Sequence, residues 1–224
     1  MAKTQAHQVY KLDDGTVVPG VTTIIDQLGW NKNVLIAWAR RTALEGKDPD
    51  KVKQQAADIG TIAHAMIEAF LKMTGMEFLS EYAPADVEKA TMAFESFRDW
   101  WGKQSLAYVS SELQLVNKVY EYGGTVDMVA REGENVYHLI DFKTSSGIYD
   151  EYIVQVAAYA ALCNMTSKDG SEISKCHIIK MSKEDGSLQQ YTLSDQQIEW
   201  GWDVFKHALA LYNLKKTMKP EGVI

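Results

Sequence analysis

The spacing of apolar positions changes several times along the chain, and each change marks an expected element. Residues 7–25 carry short apolar and β-branched runs on either side of Asp13-Asp14-Gly15, a turn signal, and predict a hairpin. Helical spacing follows at 33–44, with Leu35, Trp38 and Ala39 on the apolar side and Arg40 and Arg41 near the end. Residues 47–53 read as a charged loop or helix start. Across 52–73, Ile59, Ile62, Met66, Phe70 and Met73 recur at helical spacing and are expected to face a core. Gly60, His64 and Glu68 fall at i, i+4 and i+8 on a second stripe of that helix. Glycine inside a helix costs about 1 kcal/mol against alanine, so Gly60 predicts the close approach of another element.

A further helix is expected over 84–103, ending near Trp100-Trp101-Gly102. Period-two spacing then takes over, with a long strand at 107–120 carrying Glu112 and shorter ones at 122–130 and 136–145, the last two joined by a turn at 131–135. An amphipathic helix at 149–164 stacks Gln155 and Tyr159 one turn apart. Strands at 175–181 and 188–193 flank a polar turn at 183–187, and a helix over 195–216 follows. This order predicts an α/β (α+β) fold with a mixed central sheet flanked by helices, an N-terminal hairpin and one parallel crossover after Lys143. A single domain over 1–224 is expected: hairpin and helix to residue 50, core over 51–193, closing helix from 194.

Composition narrows the class. Hydrophobic residues at 46% and charged residues at 24% are ordinary for a globular protein. No apolar run approaches membrane-spanning length, and the polar start, residues 1–7, lacks a signal-peptide core. The two cysteines, Cys163 and Cys176, form no Cys-x-x-Cys pattern, which speaks against a zinc ribbon or iron–sulfur cluster and fits a reducing cytoplasm. A net charge of −7 means that any nucleic-acid partner must be held by local basic groups or by a metal.

The candidate chemistry sits on the strands at 122–130 and 136–145. Alternation points Asp141 and Lys143 the same way, and on a neighbouring strand Asp127 can lie beside Asp141. Two carboxylates and an ammonium on strands fit for burial are costly unless they neutralise one another or hold a metal. Singly each residue has an ordinary explanation: a core or surface histidine at 64, a same-face ion pair at 141 and 143, a turn residue at 127 after Gly123-Gly124. Hard divalent cations take carboxylates, waters and phosphate oxygens, and an imidazole among the ligands shifts preference towards Mn²⁺.

Read in order, Gly60-x-x-x-His64, Glu112, Gly124-Thr-Val-Asp127, Ile140-Asp141-Phe142-Lys143-Thr144 and Gln155-x-x-x-Tyr159 resemble the PD-(D/E)XK nuclease superfamily, in particular its RecB-type exonuclease branch. The segment Val18-Pro-Gly-Val-Thr-Thr-Ile-Ile25 resembles the Pro-x-Val-Thr stretch that opens several relatives. Val126 stands where the family name has proline. The resemblance implies a restriction-endonuclease-like core and a Mg²⁺- or Mn²⁺-dependent DNA exonuclease, with a catalytically inactive DNA-binding module or an endonuclease as alternatives. It implies His64, Asp127 and Asp141 as metal ligands with the Phe142 carbonyl as a fourth, Lys143 as the catalytic lysine, and Glu112 near the metal or its waters. Gln155 and Tyr159 would contact substrate or brace the site, and Glu68 is a further substrate-side candidate. DNA ends are the implied partner. A phage setting is also implied, with a single-strand annealing or recombination protein as partner in the cytoplasm of a bacterial host.

Overall fold

The alternating stretches from residue 107 onward pair into one mixed five-stranded sheet. The computed structural model describes residues 8–218. Strands β3 (Ala107–Asn117), β4 (Tyr122–Glu132), β5 (Val136–Lys143), β6 (Ile173–Met181) and β7 (Leu188–Thr192) lie in the order β3-β4-β5-β6-β7. Consecutive strands pair antiparallel except β5 and β6, which run parallel because helix α5 (Asp150–Thr166) carries the chain across. The expected mixed sheet and its single parallel crossover are therefore present.

Each face of the sheet is covered by helices, as burial of both faces requires. On one side α1 (Val21–Asp26), α5 and α6 (Asp195–Thr217) enclose Val126, Val129, Leu139 and Ile178. On the other, α3 (Pro49–Lys72) and α4 (Pro84–Trp101) enclose Met128, Ala130, Ile140, Phe142 and Ile179. Local signals set the helix ends. Asp48 caps α3 with Pro49 in its first turn, and Ser194 and Gln197 form a reciprocal capping box on α6. Among the described residues no helix is long and apolar enough to cross a membrane.

Several expectations need correction. The N-terminal hairpin is only β1 (Tyr10–Lys11) paired with β2 (Val17–Val18), and His7 lies outside the described residues. Residues 21–25, expected in the second strand of the hairpin, lie in helix α1. Val21, Ile24 and Ile25 are its buried positions, a spacing of three and four that overrides β-branched preference. In α3 the core stripe is Ile59, Ile62, Ala63, Met66, Ile67 and Leu71, whereas Phe70 is 36% exposed and Met73 is 93% exposed as the left-handed residue ending the helix. Helix α2 (Lys32–Leu44) departs most. Leu35, expected on a core-facing side, is 54% exposed, and only Thr42 of the helix is buried.

The Gly123-Gly124 pair lets two aromatic rings close on β4. A Cβ at Gly123 would stand 2.3 Å from Tyr10 Cγ, and one at Gly124 would stand 2.6 Å from Tyr159 Cε1. The hairpin is tied to β4 there through Gly123 N–H donating to the Pro19 carbonyl at 3.0 Å.

Near the start of β5, two buried histidines face each other. His138 Nδ1 lies 2.9 Å from His177 Nε2, and His177 Nδ1 lies 2.9 Å from Thr192 Oγ1. Burial, with His138 beside it, pushes His177 down from 6.5 to about 4. The unfolded chain then binds the proton that the native protein refuses, so stability is full above about 6.5 and is lost as pH falls towards 4. Denaturation midpoints measured across that window should show the loss, and His177→Gln should flatten it.

Candidate functional site

The ladder between β4 and β5 stops at Met128↔Ile140, while β5 stays paired with β6 through Lys143 and β4 with β3 through Tyr122. The two central strands part at this point. Asp127 fills the gap, its Oδ2 accepting the Phe142 N–H at 2.7 Å in place of a backbone carbonyl. Side-chain alternation also breaks here. Val126 and Val129 both reach the α5/α6 core, although odd and even positions should face opposite ways. In β3, where the register sets Glu112 level with Asp127, Glu112 has a left-handed backbone of φ 50°. For a non-glycine residue that conformation costs roughly 1–2 kcal/mol, a strain that proteins retain mainly at functional positions.

The kink gathers a donor cluster under α3. One ligand atom from each of His64, Glu112 and Asp127 lies within 4.8 Å of the others, and His64 Nδ1 is 3.8 Å from Asp127 Oδ1. His64 rests edge-on against Phe142, with ring centroids 5.8 Å apart. Gly60, one turn before His64, allows the close passage its sequence position predicted: a Cβ there would stand 3.0 Å from Thr144 Oγ1. These groups open into a cleft of about 460 Å³ whose walls include Thr61, Phe78, Tyr82 and Thr125. Glu68 lies on the same wall, paired to Lys72 one turn on.

Asp141 and Lys143 form a second group beside the first. Asp141 is 1% exposed, and Lys143 Nζ approaches its Oδ2 to 2.5 Å, yet neither carboxylate oxygen makes a well-formed hydrogen bond. Burial pushes Asp141 up to about 7, against the pull of the Lys143 ammonium, and Asp127 adds to the rise. Burial works against the charge on Lys143, but Asp141 and Asp127 outweigh it and keep the ammonium protonated. Glu112 is pushed up to about 8, first by burial and then by Asp127 and Glu68. Acidic oxygens buried together, short of partners, beside an imidazole are a donor set suited to a hard divalent cation.

On α5, Gln155 Nε2 donates to the Tyr159 hydroxyl at 3.0 Å, and Tyr159 is 5% exposed with its ring against Gly124. The structure thus brings His64, Glu112 and Asp127 together, sets Asp141 with Lys143, and gives Phe142 a visible part through its amide. Two contributors escaped sequence reading. The Tyr152 ring lies 4.9 Å from Lys143 Nζ, and the Tyr10 hydroxyl lies 2.9 Å from Thr125 Oγ1 at the cleft edge. Tyr152 carried a usable signal, since it precedes Gln155 and Tyr159 by three and seven positions on one helical stripe. Tyr10 carried none.

With this fold and this site in place, sequence comparison gives the class. The profile of the PD-(D/E)XK nuclease superfamily matches residues 36–211, and the chain belongs to that superfamily. It is therefore a nucleic-acid hydrolase of a kind that uses divalent metal ions. Among solved structures, a candidate exonuclease from Eubacterium rectale aligns over 72% of this chain and 69% of its own, with 8% identity and a TM-score of 0.53. That likeness bears on the fold alone. The structure of SSO0001 aligns over 75% and 86% of the two chains at 14% identity, with a TM-score of 0.33. No curated protein matches the sequence.

A cation held by this cluster would relieve the crowding of Glu112 and Asp127. Without it, the folded protein holds a proton on Glu112 that the unfolded chain releases, so stability falls as pH rises from 4.5 towards 8. In EDTA at pH 9, Glu112→Gln should therefore unfold at higher denaturant than the wild type. In saturating Mn²⁺ the order should reverse, because ligand at about 100 times its Kd adds roughly 2.7 kcal/mol only where the donors remain.

Proposed function

We propose that this protein is a Mg²⁺- or Mn²⁺-dependent deoxyribonuclease that degrades DNA from its ends. The observation that carries the reading is the His64/Glu112/Asp127 cluster lying beside a buried Asp141–Lys143 pair at the parting of two central strands. His64, Glu112 and Asp127 would hold the cation, with Asp141 and the Phe142 carbonyl joining them as the family resemblance implies. A divalent cation bound there polarises a phosphoryl oxygen and lowers the pKa of a bound water.

The chain's own groups do the rest. Lys143 presents an ammonium beside the place where negative charge grows on the phosphoryl oxygens, and that interaction strengthens towards the transition state. Asp141 fixes the Nζ position, and the Tyr152 face keeps the cation from swinging away. Asp127 is held by the Phe142 amide, so its free oxygen keeps a constant bearing. Tyr159, too buried to meet substrate broadly, braces α5 against β4 with Gln155 orienting its hydroxyl. Glu68 lies on the cleft wall on the substrate side. Action at ends is favoured because no sequence-reading module accompanies the core among the described residues. The fold neighbour from Eubacterium rectale is itself described as a candidate exonuclease.

End-labelled linear DNA and covalently closed circles, incubated with Mg²⁺, Mn²⁺ or EDTA, test this directly. Linear DNA should shorten from its ends in either metal, EDTA should abolish cleavage, and circles should survive. Lys143→Ala should lower single-turnover cleavage by roughly 10²–10³ while DNA affinity falls far less, if the ammonium acts as one electrostatic donor. Undiminished cleavage in EDTA, or near wild-type turnover in the lysine variant, would overturn the assignment. Rapid cutting of closed circles at defined sites would make the protein an endonuclease.

A further inference from the structure

Helix α2 is the part of the fold that the catalytic core leaves unexplained. It carries Val34 at 61%, Leu35 at 54%, Ile36 at 58% and Leu44 at 81% exposure, with Trp30 at 48% just before it. Such apolar exposure in one short segment marks a binding surface more often than chance. Its charge is equally unusual. Between Asp26 and Glu45 the sequence has Lys32, Arg40 and Arg41 and no acidic residue, within a chain of net charge −7.

Lys32, Leu35, Ile36 and Ala39 lie three and four positions apart and form one wall of a groove of about 870 Å³. Arg40 stands one turn beyond Ile36. The opposite wall is α5, through Glu151 and Tyr152. Glu151 is already engaged by Asn31 Nδ2 at 2.7 Å, and the other carboxylate, Asp26, is solvent-exposed. Tyr152 is the ring that lies 4.9 Å from Lys143 Nζ, and Tyr149 meets it edge-on at 5.4 Å. Tyr152 is thus shared between the groove and the surroundings of the Asp141–Lys143 pair.

We propose that this groove is the binding track for a single-stranded nucleic acid, with unpaired bases against Leu35, Ile36 and Tyr152 and phosphates on Lys32 and Arg40. The proposal rests on the nuclease reading and names the substrate form that the site takes. An apolar and aromatic wall gains little from a duplex, whose bases are already stacked and whose rim is phosphate, but gains from each unstacked base. Local positive charge answers the problem set by the negative net charge, since away from the metal cluster a basic strip is needed to hold a polyanion. Self-association through the same face would bury the apolar residues but would also bring together two basic strips.

The test is equilibrium binding in Ca²⁺ or EDTA, read by anisotropy of labelled oligothymidine, an abasic strand of equal length and a blunt duplex. Oligothymidine should bind most tightly. Leu35→Ser/Ile36→Ser, altered only at exposed positions, should weaken oligothymidine at least about tenfold and leave the abasic strand nearly unchanged. Lys32→Ala/Arg40→Ala should instead reduce the slope of log affinity against log salt, by up to about 1.4 if both meet phosphates. Hydrolysis of bis(p-nitrophenyl) phosphate separates the two readings, because that small ester needs the catalytic centre and not the track. Its rate should be unchanged in both α2 variants. Loss of ester hydrolysis in the wild type would count against the nuclease reading itself. Wild-type ester hydrolysis with oligothymidine affinity insensitive to the α2 changes, or equal affinity for the duplex, would overturn the track. So would a concentration-dependent dimer, seen by sedimentation, that the serine variant dissolves without changing oligonucleotide affinity.

Discussion

The hydrogen bond from the Phe142 amide to the Asp127 carboxylate is the contact on which the site depends. A sheet that continued its ladder past Met128 and Ile140 would satisfy every backbone group and leave no opening. By accepting the Phe142 N–H, Asp127 lets β4 and β5 separate without leaving a buried donor orphaned, which would cost about 1–3 kcal/mol. The same carboxylate then has one oxygen committed and one free, beside His64. The strain at Glu112 belongs to this arrangement, since a regular β3 would send that side chain elsewhere.

The electrostatics follow from the opening. Glu112 and Asp141 lie near Asp127 in a poorly hydrated space, and burial favours protonation of Glu112 and of Asp141. Lys143 answers part of that charge, and the buried oxygens of Asp141 still lack well-formed partners. Crowded carboxylates of this kind lower the stability of the metal-free fold, and on the proposed reading a bound cation would offset that cost. The surrounding structure packs closely on the site. Tyr10 and Tyr159 clamp Gly123 and Gly124 from two sides, and α3 passes close over Thr144 because residue 60 has no side chain.

The two halves of the molecule serve different ends. The sheet, α3 and α5 build the donor cluster, while α2 stands outside the core with its apolar side in solvent and its basic residues together. On the proposed reading, an acidic protein that acts on a polyanion concentrates positive charge where the strand would lie, and the stretch between Asp26 and Glu45 carries basic residues without an acidic one.

Much of this was legible without coordinates. Period-two runs placed β3 to β7 and the helix between β5 and β6, because alternation and length separate strand from helix when each element buries one face. Charged groups at 127, 141 and 143 in otherwise apolar strands need a reason to be there. The order of His64, Glu112, Asp127, Asp141, Lys143, Gln155 and Tyr159 resembles the PD-(D/E)XK superfamily, which is what implied metal-dependent phosphodiester chemistry. Other features depended on which surfaces meet. Val21, Ile24 and Ile25 are β-branched yet form a helix because three neighbours bury them at helical spacing. Leu35 and Phe70 fit an apolar stripe, but no element packs over the first and only aromatic edges reach the second. Local composition cannot report an absent neighbour. Nor can it report that Asp127 would take a backbone amide, that Glu112 would turn left-handed, or that Tyr152 would lie beside Lys143. Those outcomes depend on the distance between strands, which only the packed sheet and its helices set.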